Sequence, residues 1–224
     1  MHPTHCPMQR RTLPAACALA LGLLGALATC GSARAQVVVD VQYQRKAEML
    51  CPLAGTLIPE NVLANDAAFR IGVVGGDPFH GVDASDNPVN YLDDMVSQKG
   101  GVYKGKPIVI HRFNSVKDIQ PCHILFVSST AGGAERSAAE RLAKILKTRS
   151  ETPRLVVADS PGMAEAGATI NFYVGTDPAG TTRVMFEINP DAAKRAGLTV
   201  KPGLLRLAAR TVTDSPARTD EESR

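Results

Sequence analysis

Four short runs rich in Val, Ile and Leu limit what this chain can fold into: FRIGVVG (69–75), KPIVIHRF (106–113), HILFVSS (123–129) and RLVVADS (154–160). Their centres show little polar alternation. A strand wetted on one face alternates apolar and polar residues, whereas a strand covered on both faces does not, so these runs read as buried parallel strands. The gaps between them can hold helices. In AERSAAERLAKILKTR (134–149), Ala138, Leu142, Ile145 and Leu146 fall on one side at helical spacing. Glu135, Arg136, Glu140, Arg141, Lys144 and Lys147 lie mostly elsewhere, as on a helix laid over a sheet. SVKDIQP (115–121) reads as one helical turn, opened by a serine cap and closed before proline.

The pattern changes near the C-terminus. ATINFYV (168–174) and TRVMFEIN (182–189) flank GTDPAG (175–180), which predicts a β-hairpin. PDAAKRAG starts with proline and acid and ends in glycine, a short capped helix, and PGLLRLAAR (202–210) is another. HGVDASDNPVN (80–90) looks like an insertion after the first strand, and no internal repeat is visible. The expected fold is a single α/β domain: a mixed, mostly parallel sheet flanked by helices, with a C-terminal β-hairpin.

The two ends stand apart from this domain. Arg10 and Arg11 precede AACALALGLLGALA (15–28), and ARA (33–35) offers small residues where a signal peptidase reads. Residues 1–35 therefore read as a secretory signal cleaved before Gln36, too short and wrongly flanked for a membrane span. LATC (27–30) is a weaker lipoprotein box because Thr29 precedes its cysteine, and Pro14 spoils a twin-arginine reading of Arg10-Arg11. With residues 1–35 go Arg10, Arg11 and Arg34, so 25 basic residues become 22, equal to the 22 acidic ones. The net charge of +3 belongs to the signal, and a neutral remainder argues against nucleic-acid binding. No second apolar run follows, so no transmembrane segment is expected in the mature chain. Residues 211–224 are polar and read as a disordered tail, leaving 36–210 as the domain.

Chemical motifs are sparse. GGVYKGKP (100–107) satisfies G-x-x-x-x-G-K, but Pro107 replaces the hydroxyl and the loop leads into a strand, so it reads as a glycine-rich turn. VVGGDPFHG (73–81) follows the first strand, where α/β folds bind ligands, which makes Asp77 and His80 candidate contacts. Ser160 ends a strand and is a candidate nucleophile, but no G-x-S-x-G surrounds it. No cysteine or histidine pair has metal-ligand spacing, so neither metal nor cofactor is expected. Cys122 and His123 would point to opposite faces of a strand. The two cysteines beyond the signal, Cys51 and Cys122, are either a disulfide pair or two separate buried thiols.

Taken in order, FRIGVVGGDPF, KGKPIVIHRFNSVKDIQPCHILFVSS, LVVADSPGMAEAGATINFYV and RVMFEINPDAAKRAGLTVKPGLLRLAA resemble the YfiR-like family of periplasmic proteins, from Phe69 to about Arg210. The most specific pieces are residues 122–126, INF (170–172) and FEIN (186–189). The resemblance implies a periplasmic, non-enzymatic regulator. Such a protein binds the periplasmic domain of an inner-membrane diguanylate cyclase and represses it, lowering cyclic di-GMP and biofilm formation. It also implies homodimerisation and a response to redox state through disulfides. Asn171, Arg183, Glu187 and Asn189 are then candidate partner contacts.

Three departures stand out. Relatives begin with an aromatic-rich helix, but KAEMLCPLAGTLIPEN (46–61) has no aromatic residue. Some relatives carry a first-strand cysteine where this chain has Gly72. Relatives often have Arg or Lys before F-E-I-N; here it is Met185, with Arg183 one pleat away on the same face. The alternatives are a periplasmic small-molecule binder using residues 75–80 and 159–162, or a hydrolase using Ser160.

Overall fold

The computed structural model describes residues 30–83, 85–148 and 154–214. Each apolar run forms a strand. β1 (Phe69–Val74), β5 (Lys106–Phe113), β6 (Ile124–Val127), β7 (Leu155–Ala158) and β8 (Ile170–Thr176) run parallel, in the spatial order β5-β1-β6-β7-β8. β9 (Thr182–Ile188) closes the hairpin antiparallel to β8, and β10 (Arg210–Thr211) lies parallel to β9. At the other edge β4 (Val102–Tyr103) folds back on β5, which makes eight strands in a mixed sheet. β2 (His80–Val82) and β3 (Pro88–Asn90) form a separate antiparallel ribbon, the insertion expected after β1.

Burial on both faces explains the missing alternation. All four residues of β6 and of β7 are buried. Ile71, Val73, Ile124, Phe126, Val157, Ile170 and Phe172 share one core with Leu50, Cys51, Ala54 and Leu57 of helix α1 (Cys30–Leu57). Helices α2 (Glu60–Asn65), α3 (Tyr91–Gln98), α5 (Pro190–Arg195) and α6 (Pro202–Leu207) contribute to that same core. The opposite face packs Val74, Leu125, Val127 and Val156 against Leu142 and Ile145 of α4 (Ala138–Lys147). The stretch from Lys46 to Asn61 lacks aromatics, and its apolar residues turn into this chain's own core: Leu50, Leu57 and Ala54 are fully buried.

Several local expectations need correction. In α4, Arg141 is buried and Leu146 is 45% exposed, the reverse of the periodicity reading. The guanidinium is drawn inward by four carbonyls, donating to the oxygens of Ser128 (2.6 Å), Glu135 (3.1 Å), Thr130 and Gly132 (both 3.3 Å). The domain also runs past residue 210. Thr211 pairs with Ile188, Val212 is buried, and Asp214 accepts from Asn189. Residues 1–29 and 215–224, most of the expected signal and tail, lie outside the described residues.

Candidate interaction site on the C-terminal hairpin

The β8–β9 register places Asn171 opposite Glu187, Phe172 opposite Phe186 and Tyr173 opposite Met185. Phe172 and Phe186 enter the α1-side core, so the alternation turns Asn171 and Glu187 to the other face. Asn171 is 1% exposed and donates through Nδ2 to Glu187 Oε2 at 3.0 Å. Arg210 reaches over from β10. Its Nη2 lies 2.6 Å from Glu187 Oε1 and also binds Glu165 Oε1, from the loop after β7. The Glu187 charge, with its hydrogen bond, pushes the Arg210 pKa up, and Glu165 adds to it. Asn171 Oδ1 and Glu165 Oε2 are buried and have no hydrogen-bond donor among the described residues.

Asn189 extends the cluster by a structural route. Its Oδ1 caps α5 by accepting from Ala192 N at 2.9 Å. Its Nδ2 donates to Ala164 O (2.7 Å) and to Asp214 Oδ1 (2.8 Å). Asp214 also binds Arg195, and the hydrogen bond from Arg195 is the main cause of its lowered pKa. The hairpin thus brings together Asn171, Glu187 and Asn189 of the residues singled out from sequence. Arg183 is not among them: it sits near the hairpin turn, 3.4 Å from Asp177. Glu165 and Arg210 complete the cluster, yet no local motif marks either one, because only the return of the chain through α5 and α6 places β10 beside β9.

Asp77 and His80 lie elsewhere, at the end of β1, with β6 and β7 between β1 and β8. Asp77 accepts from Phe79 N (2.9 Å), Asn90 Nδ2 (2.9 Å) and Arg112 Nε (2.5 Å), tying the ribbon to β5. Burial alone would raise its pKa, but these bonds outweigh it and hold the carboxyl below its ordinary value. His80 is 71% exposed at the side chain.

The crevice where the strand order reverses, between β1 and β6, is the usual ligand position in such sheets. Here the chain fills it. A Cβ on Gly76 would come within 2.4 Å of Ala131 O, and one on Gly132 within 2.8 Å of Gly76 Cα, so the two loops meet backbone to backbone. Behind β7, Asp159 Oδ2 accepts from Tyr43 (2.9 Å) and Lys46 (3.3 Å), while Oδ1 accepts from Ser129 N (2.8 Å). The Lys46 and Asp159 side chains are 3% and 0% exposed. Ser160 follows β7, whereas His123 precedes the parallel strand β6, so the two lie at opposite ends of the sheet.

Cys122 and His123 lead into β6. His123 N donates to Arg70 O and His123 O accepts from Leu155 N, which extends the ladder by one residue. The ring stacks on Phe69 at 5.1 Å. Its Nδ1 accepts from Arg70 N at 3.0 Å, which leaves the proton on Nε2, 2.9 Å from Asp66 Oδ2. That Nε2 contact is close but poorly aligned for a hydrogen bond. Cys51 and Cys122 are both free thiols, and they belong to the cores on opposite faces of the sheet, so this structure does not bridge them. No group of three or more His, Cys, Asp or Glu suited to a metal ion occurs among the described residues. No helix among them is long and apolar enough to cross a membrane.

Comparison with known proteins agrees with the sequence pattern. No curated protein matches the chain. Among solved structures, it is similar to the ABC domain in complex with L-Trp from Streptococcus pneumonia, with TM-score 0.43 and 14% identity over 74% of this chain. It is also similar to a conserved domain protein from Vibrio cholerae O1 biovar eltor str. N16961, with TM-score 0.42 and 14% identity over 74% of this chain. The chain spans 60% of the length of each, and likenesses so distant carry no argument about function. The YfiR/HmsC-like profile matches residues 43–209, which takes in α1 from Tyr43, the whole parallel sheet and the hairpin cluster up to the residue before Arg210. The chain belongs to the YfiR/HmsC-like family.

Proposed function

We propose that this protein is an exported, non-enzymatic regulator that binds the periplasmic domain of an inner-membrane diguanylate cyclase and represses it, lowering cyclic di-GMP. Family membership supports a regulator in the diguanylate cyclase pathway, and the match over residues 43–209 is the observation that carries the reading. Residues 1–35 act as the export signal, which puts the folded domain in the periplasm beside its partner. The hairpin face bearing Asn171, Glu187 and Arg210 is the proposed contact surface. Arg210 is exposed there, held by the buried Glu187 on a rigid sheet rather than on a loop, which suits recognition of another polypeptide. The self-filled crevice between β1 and β6 weighs against the small-molecule alternative at that position. The test is cellular cyclic di-GMP with a cognate cyclase expressed alone or beside this chain. A fall on co-expression is expected, and an unchanged level refutes the proposal.

A further inference from the structure

Asn171, Glu187, Arg210 and Glu165 form one connected chain of polar contacts with an unsatisfied acceptor at each end. At one end is Oδ1 of Asn171, whose residue is 1% exposed; at the other is Oε2 of Glu165. Two carboxylates share one guanidinium here, so the cluster carries a net negative charge. Arg210 serves both carboxylates through Nη2 and is itself 55% exposed at the side chain. Every unsatisfied buried atom in the cluster is an acceptor, and the two carboxylates outnumber the one guanidinium. A buried acceptor without a donor is unfavourable, and a group bringing both positive charge and N–H donors relieves the charge and the orphaned oxygens together.

We infer that Glu165, Glu187 and Asn171 form a receptor for a cationic side chain, a guanidinium or an ammonium, presented by the protein partner beside Arg210. This rests on the reading of the hairpin face as the partner surface and names the chemistry that face recognises. The partner's contact segment therefore carries an Arg or Lys at its centre.

The receptor is tested first without any partner. Methylguanidinium and butylammonium chlorides are titrated into the folded chain while the side-chain amide signal of Asn171 is followed by nitrogen–proton correlation NMR. Tetramethylammonium chloride, a cation with no N–H, is the control at matched ionic strength. A saturable shift with the two donors and none with the control is expected, weakened about tenfold or more in Glu165→Gln. Equal responses to all three salts, or none, would mean that the site holds water only and would overturn the receptor. The second arm uses cellular cyclic di-GMP. Glu165→Lys supplies an ammonium from within, so it should abolish repression while the thermal unfolding midpoint stays near that of wild type. If wild type represses and folded Glu165→Lys represses equally well, the receptor is not where the partner docks. If wild type itself leaves cyclic di-GMP unchanged, the cyclase reading fails, and the NMR titration still decides whether the receptor exists.

Discussion

Lys46→Met removes one half of a buried ion pair and isolates the other. Lys46 Nζ lies 3.3 Å from Asp159 Oδ2, with side chains 3% and 0% exposed. At that distance the gross attraction is about 5 kcal/mol for an effective dielectric near 20. Much of it is consumed by taking both charges out of water, and burial is also the largest influence on Lys46, whose pKa it lowers against the pull of Asp159. Removing the lysine leaves Asp159 charged and buried, which typically costs about 3–5 kcal/mol. Here the low end applies, because Tyr43 and Ser129 still donate to the carboxylate. With a urea m-value of about 2 kcal/mol/M, a loss of about 3 kcal/mol shifts the urea midpoint down by about 1.5 M. Replacing the stranded charge should then restore stability. Lys46→Met/Asp159→Asn is expected to be more stable than Lys46→Met alone by about 1–2 kcal/mol, since asparagine keeps an acceptor for Ser129 N without a charge. Equilibrium urea unfolding followed by circular dichroism reads both numbers. A loss below about 1 kcal/mol for the single variant, or a double variant less stable than the single one, would refute this account of the pair.

Three further outcomes follow from the geometry. A Cβ on Gly72 would lie 3.2 Å from Cys122 Sγ, so Gly72→Cys should form a disulfide that non-reducing mass spectrometry detects as the loss of two hydrogens. Loop-closure entropy sets an upper gain of about 4 kcal/mol, which crowding by the Phe113 ring will reduce; two free thiols after oxidation would contradict the placement. Burial lowers the His123 pKa below its ordinary 6.5, with Asp66 opposing that shift. The unfolded chain therefore takes up the proton first, so stability should fall as pH drops below about 6.5. His123→Asn should flatten that slope in unfolding curves measured between pH 5 and 8, and identical slopes would count against it. Burial pushes the Cys51 thiol up to about 11 and raises that of Cys122. Iodoacetamide at neutral pH should accordingly modify neither thiol in the folded protein and both in urea, and labelling of the native protein would be the contrary result.

The sheet was legible in the sequence because burial on two faces removes polar alternation. β1, β5, β6 and β7 all fall inside the apolar runs, and the Gly/Pro/Asp turn announces the β8–β9 hairpin. The Ser115 cap was an equally local signal. Periodicity failed at Arg141, since a helical wheel scores charge as outward and cannot see four carbonyls waiting at the ends of other elements. The site was half legible. Asn171, Glu187 and Asn189 stood out through the INF and FEIN segments, but Glu165 and Arg210 are brought in by a loop and an edge strand that no spacing rule connects. Asp77 and His80 stood out by their place after the first strand, and the strand order separates them from the hairpin set.

The proposed regulator acts by contact of its folded chain with a cyclase. The most direct measurement is cyclic di-GMP synthesis by the full-length cyclase in lipid vesicles, with its periplasmic domain facing outward, GTP supplied inside, and this chain added outside. Synthesis should fall in a saturable manner as the folded chain is added, and not when the chain is unfolded beforehand. Synthesis that continues at an unchanged rate under saturating folded chain would contradict it.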